Sequence, residues 1–212
     1  YEGWKTSSGD ASWGWGTGTT NNGMWWYYKK VMKMNSPAIP STCASYYGTT
    51  GPLVVSDSGS NSSAIPLIRA AAQELGYPIL ADINCGKWIG FANIHQTIKQ
   101  NERNHAARAF LAPLRNQNNL MVLRNTVVVK LNLVKNNSTG AVTATGVNVQ
   151  TTRENCTNFN LKASRDIIIT AGAYNTPKIL LLSGVGRSVD LAPFNIPQKI
   201  NRPVGLNYHN HA

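Results

Sequence analysis

The chain has 212 residues, 42% of them hydrophobic, which is enough for one large domain or parts of two with a real core. It contains no run of about 18 apolar residues, so no helix is expected to span a membrane. The formal charge of +11 reflects 20 basic against 9 acidic side chains, but these are scattered singly or in pairs such as Lys29-Lys30, the pattern of a solvated surface and not of a nucleic-acid footprint.

In chain order, residues 1–36 are rich in Trp, Gly and Thr, with Trp4, Trp13, Trp15, Trp25 and Trp26 close together. Such a cluster is more often core than binding site. The glycines from Gly14 to Gly23 predict a loop, and Trp25 to Met34 a short helix bearing Lys29, Lys30 and Lys33. Pro52 to Val55 reads as a short strand. From Ser63 to Gly76, Leu67, Ile68, Ala71, Ala72 and Leu75 fall on one helical face, predicting a packing helix. Gly86 to Thr97 reads as extended chain, in which His95 fits a half-buried strand residue better than a catalytic base. Pro113 limits a short helix around Ala106 to Leu111.

Leu120 to Val134, with β-branched Val127, Val128 and Val129, is the clearest strand region. A turn at Lys135 to Gly140 and strands over Ala141 to Gln150 and Phe159 to Lys162 complete a β-meander. Ile167 to Thr170 predicts a central strand that runs into the small-residue turn Ala171-Gly172-Ala173. A helix follows, with Thr176 as its cap, Pro177 at its first position and Gly184 at its left-handed end. A strand, a tight turn and a capped helix let backbone approach a ligand closely, at an end that attracts negative charge. The same unit is also ordinary α/β architecture.

Cys43, Cys85 and Cys156 form no CxxC pair or metal-ligand cluster, so at most one disulfide is possible. His209 and His211 lack a nearby third ligand, and no metal site is expected. Sequons at Asn61, Asn136, Asn137 and Asn155 favour a secretory route if they are used. The start at Tyr1, with no initiator Met and no signal-peptide pattern, suggests a mature or truncated product.

The run Gly172-Ala173-Tyr174-Asn175-Thr176-Pro177-Lys178-Ile179-Leu180-Leu181-Leu182-Ser183-Gly184-Val185-Gly186 resembles the second signature of the glucose-methanol-choline (GMC) oxidoreductases, flavoenzymes that oxidise alcohols and sugars. Other stretches fall in that family's order: Tyr1-Glu2-Gly3-Trp4, Tyr47-Gly48-Thr49-Thr50-Gly51-Pro52-Leu53, Gly76-Tyr77-Pro78 and Pro203-Val204-Gly205-Leu206-Asn207. The resemblance covers nearly the whole chain and is greatest to the insect branch that includes glucose dehydrogenase and ecdysone oxidase. Departures are an insertion at Thr17 to Gly23, Tyr47 where His is usual, loss of a Ser-Thr pair within Asn104 to Ala107, and Asn210 in place of an acid.

The resemblance implies an α/β (mixed α+β) fold. Residues 1–98 would be part of a sheet-and-helix substrate-binding domain, and 99–212 part of a Rossmann-like FAD-binding domain with the β-meander. It places FAD contacts on Val128, whose backbone would meet the adenine ring, and on Ala171, Gly172, Asn207, Asn210 and His211. It implies a small alcohol, sugar or sterol substrate and a secreted flavoprotein. The family's GxGxxG loop and catalytic His are not found in these residues; the first is expected N-terminal to them and the second C-terminal. A non-catalytic binding or structural protein derived from the family is the alternative.

Overall fold

A computed structural model describes residues 1–16, 23–59, 62–153 and 156–210. His211 and most of Thr17 to Gly23 lie outside the described residues. The chain forms two compact units, Tyr1–Leu120 and Met121–Ala212, so residues 99–120 fold with the first.

In the first unit, helix α1 (Glu2–Ser8) ends at Gly9, whose φ of 70° lets its N–H turn back to the Lys5 carbonyl. Helix α2 (Gly23–Val31) passes directly into strand β1 (Met32–Asn35). The helix expected through Met34 therefore stops at Val31, because Met32 to Asn35 pair in parallel with Leu53 to Ser56 of β2 (Leu53–Asp57). Strand β3 (His95–Gln96) adds antiparallel to β2, giving the order β1-β2-β3.

The link from Tyr47 to Pro52 crosses the α2–β1 junction at very short range. A Cβ on Gly48 would stand 1.8 Å from the Lys29 carbonyl oxygen, and one on Gly51 would stand 2.2 Å from the Val31 carbonyl. Only glycine admits the two backbones at that separation.

Helix α3 (Ala64–Glu74) forms where its periodicity predicts. Its apolar face is not packed within this unit, however: Ala72 is buried, while Leu67 and Leu75 are 71% and 75% exposed. Strands β4 (Ile98–Lys99) and β5 (Glu102–Arg103) form a tight hairpin with Gln100 and Asn101 at φ 54° and 59°. The predicted short helix is a single π-helical turn, Ala107–Leu111. His105 supplies what the missing Ser-Thr pair would have given, since its Nδ1 accepts a long hydrogen bond from the Arg108 N–H at 3.4 Å.

Cys43 and Cys85 are disulfide-bonded, and Cys156 is free and exposed. Beside the bridge, the buried Tyr47 hydroxyl donates to Asp82 Oδ2 at 2.6 Å, and Asp82 Oδ1 accepts from the Asn84 N–H at 2.8 Å. Burial, and then the bond to Asp82, push the Tyr47 hydroxyl far above tyrosine's ordinary range, which keeps it a donor. His95 is a buried strand side chain, as its sequence context predicts. Its Nδ1 lies 3.2 Å from Asp57 and its Nε2 3.9 Å from Asp82, with neither nitrogen aligned for a hydrogen bond.

The aromatic segment packs ring on ring: Tyr1 on Trp15 at 5.0 Å, Trp15 on Trp25 at 5.8 Å, and Trp25 near Tyr46 at 5.6 Å. It is a half-open cluster and not a closed core, with Trp4 and Trp13 56% and 44% exposed. Together with Met32, Met34 and Val55 from the sheet face, it lines a basin of about 720 Å³.

The second unit is built on the predicted meander. Strands β6 (Thr126–Lys135), β7 (Val142–Thr151) and β8 (Asn158–Lys162) pair antiparallel in that order. Two predicted features differ. Ile167 to Thr170 has no regular secondary structure, with Ile168 84% exposed, and pairs with no strand among the described residues. Helix α4 spans Gly172–Leu182, beginning four residues before the predicted cap at Thr176, so that Pro177 lies inside it. The proline falls early enough to forfeit only a bond to a first-turn carbonyl. At the other end Gly184 (φ 86°) closes the helix as predicted, with its N–H on Leu181 O and the Val185 N–H on Leu180 O. Helix α5 (Ser188–Leu191) buries Leu191.

Candidate functional site

A groove of about 730 Å³ opens in the second unit between the meander and helix α4. One wall is the start of β6 (Thr126 to Val129) with Val147 and Gln150 of β7; the other is the run Ile167 to Ala171 with the inner face of α4. Its size is that of pockets that hold small ligands and cofactors.

Strand β6 is an edge strand, so half of its backbone groups face away from β7. The ladder slips between Val128 and Lys130, leaving Val129 as a bulge beside Val128. A bulge of this kind re-aims a strand next to a site. On the other side Ala171 is followed by Gly172, which has φ 85°, and a Cβ built there would meet nothing within 4 Å. The glycine is thus set by its backbone conformation, with open space in front of it.

Helix α4 turns Asn175, Lys178, Ile179 and Leu182 toward the groove, which brings one positive charge to a mainly apolar wall. Asn175 and Lys178 were not singled out from the sequence, because a helix assumed to begin at Thr176 leaves their common face unrecognised.

Of the positions indicated by sequence, Val128 and Ala171 line this one groove, and Gly172 follows as the first residue of α4. Asn207 and Asn210 are exposed and do not line it. Asn207 (φ 59°) lies in the loop held to α4 by the hydrogen bond between the Tyr174 and Tyr208 hydroxyls, 2.8 Å. His211 is outside the described residues.

The helix and strand that wall the groove are tied together by a side chain that sequence reading passed over. The buried Ser183 hydroxyl donates to the Ile179 carbonyl at 2.6 Å and accepts from the Leu131 N–H at 2.8 Å, tying the end of α4 to β6. A serine between Leu182 and Gly184, where everything around it is apolar, was the available signal. Ser183→Ala leaves the Leu131 N–H buried without an acceptor. It should cost about 1–3 kcal/mol of second-unit stability, read as a lowered urea midpoint in far-ultraviolet circular dichroism. An unchanged midpoint would show that the link carries no weight.

The mixed helix and sheet architecture is one shared with solved FAD-dependent oxidoreductases. It is similar to an FAD-dependent oxidoreductase from Chaetomium thermophilum, 27% identical with a TM-score of 0.74, over 84% of this chain and 31% of that one. It also shares its fold with pyridoxine 4-oxidase from Mesorbium loti, 24% identical with a TM-score of 0.77, over 96% of this chain and 36% of that one. The sequence model described as GMC oxidoreductase matches residues 1–212, and the chain belongs to that family. Among curated relatives, ecdysone oxidase of Bombyx mori is 31% identical over 100% of this chain and 30% of its own length. The glucose dehydrogenase [FAD, quinone] of Drosophila melanogaster is 33% identical over 79% of this chain and 26% of its own length. The chain thus spans about 30% of the length of the relatives it matches.

Proposed function

We propose that these residues are the nucleotide-holding middle of an FAD-dependent oxidoreductase that acts on the CH–OH group of an alcohol, sugar or sterol. The observation that carries this reading is the juxtaposition of Val128 and Ala171 across one groove, with Gly172, in its left-handed conformation, directly after Ala171. A flat apolar gap between an edge strand and a helix suits an adenine ring, and the start of α4 suits a phosphate. When bound, FAD supplies the hydride chemistry of such enzymes.

The chain's own part is binding and orientation. The Val128 backbone offers hydrogen-bonding groups to the ring edge, Gly172 lets the main chain come close, and Lys178 brings a positive charge toward the dinucleotide. The loop of Asn207 and Asn210, held to α4 through Tyr208, supplies further polar contacts. In the first unit, the aromatic basin suits a ring-bearing alcohol, in keeping with the substrate-side role that resemblance gives to that part of the chain.

Calorimetric titration of the chain with FAD and with ADP tests the reading. Weak binding is expected, with ADP competing against FAD and Gly172→Val raising both dissociation constants at least about tenfold, roughly the cost of one left-handed non-glycine residue. Binding of FAD that ADP does not displace, or that Gly172→Val leaves unchanged, would place the cofactor elsewhere.

The Cys43–Cys85 bridge and the sequons support a secreted glycoprotein, since disulfides persist in oxidising compartments.

A further inference from the structure

The hairpin joining β6 to β7 carries two overlapping sequons, Asn136-Asn137-Ser138 and Asn137-Ser138-Thr139, and the fold distinguishes between them. Asn136 is built into the turn. Its N–H donates to the Ala141 carbonyl and its own carbonyl accepts from the Gly140 N–H, both at 2.8 Å. Its Oδ1 accepts from the N–H groups of Ser138 and Thr139 at 2.9 and 3.0 Å. This is an Asx turn that pins the carboxamide. Asn137 sits at the exposed apex and makes none of these bonds. Everything from Val134 to Ala141 is exposed, so a bulky group on Asn137 displaces no packed side chain.

We infer that Asn137 is an N-glycan acceptor. The inference rests on the secretory reading above and adds to it which asparagine is used. In the transfer, the Asn137 Nδ2 attacks the anomeric carbon of a lipid-pyrophosphate-linked oligosaccharide. The N–C bond forms and the C–O bond to phosphate breaks. The lipid pyrophosphate leaves with the electron pair, the amide proton passes to the transferase, and nothing is oxidised or reduced. On Asn136 the sugar would be carried by a carboxamide whose orientation is fixed by two backbone donors to its Oδ1, whereas Asn137 at the apex carries no such restraint among those bonds. At about 3.3 Å per residue, the hairpin tip lies roughly 25–30 Å along β6 from Val128, so the glycan leaves the groove open.

The test is cell-free translation of the full chain behind a heterologous signal peptide, in the presence of endoplasmic-reticulum microsomes. Occupancy is read by glycosidase-sensitive gel shift and by mass spectrometry of the aspartate left when the glycan is released in heavy-oxygen water. Label is expected on Asn137, lost completely in Thr139→Ala and retained in Ser138→Ala, which destroys only the Asn136 sequon. Label on Asn136, label on this hairpin that survives Thr139→Ala, or an unmodified Asn137 in protease-protected lumenal chain would each overturn the assignment. Because the added signal imposes the route, such a failure counts against the site alone. The secretory reading is judged separately, by whether Cys43 and Cys85 are found oxidised in the native protein.

Discussion

Gly48→Ala is expected to unfold the first unit at temperatures where the unaltered chain is folded. The added Cβ would stand 1.8 Å from the Lys29 carbonyl oxygen and 2.5 Å from that of Met32, and both are main-chain atoms that no rotamer change can move aside. The backbones are held together there, because the Met34 N–H donates to the Gly48 carbonyl at 2.8 Å and the Gly51 N–H to the Met32 carbonyl at 3.1 Å. Relief would require separating the α2–β1 junction from the link into β2, and with it the parallel pairing that orders the sheet.

A loss above about 4 kcal/mol follows, in the range of exceptional single substitutions and a large share of the 5–15 kcal/mol that stabilises a typical domain. The measurement is clean, because all six tryptophans lie before Met121, so fluorescence excited selectively at tryptophan reports this unit alone. Gly3→Ala is the control: a Cβ there meets nothing within 4 Å, and helix α1 should tolerate or welcome it. If Gly48→Ala melted with the parent chain, the close crossing would have to be rejected.

The same junction shows where sequence reading stops. Trp25 to Met34 carries a helix-compatible pattern throughout, and what ends the helix at Val31 is the lateral pairing of Met32 to Asn35 with β2, a partner some twenty residues away. The meander was legible because β-branched residues alternate along strands that pair with their immediate neighbours, so all the necessary information is local. Ile167 to Thr170 has equally strong strand composition but forms no ladder among the described residues, since composition supplies one side of a pairing and not the other.

The end of α4 was legible from Gly184, while its start was misplaced by Pro177, a residue more common at the first helical position than inside. For the groove, the motif around Gly172 pointed to the turn that follows Ala171 on one wall, but what ties that wall's helix to the facing strand is a hydroxyl-to-backbone bond from Ser183 to a strand more than fifty residues earlier. A contact of that range leaves no periodic trace.

Loss of the disulfide is the second large expected effect. Cys43 and Cys85 close a loop with a sequence separation of 42. In the chain-entropy model a loop of that length restrains the unfolded ensemble by about 4 kcal/mol. The bridge joins two segments that also meet through the buried Tyr47–Asp82 hydrogen bond, so the folded arrangement has an anchor that survives reduction. The unit should therefore remain native-like when reduced in dilute buffer, yet unfold at distinctly lower denaturant. Tryptophan fluorescence, with Trp88 three residues beyond Cys85, should show the urea midpoint of the Cys43→Ala/Cys85→Ala variant falling by about 1.3–4 M for a urea slope of about 1–3 kcal/mol per molar. Adding Tyr47→Phe to that variant removes the remaining anchor and leaves the Asp82 carboxylate short of a donor, which should abolish the folded baseline altogether. Coincident unfolding curves for the bridged and unbridged chains would mean that the bridge contributes nothing to the first unit's stability.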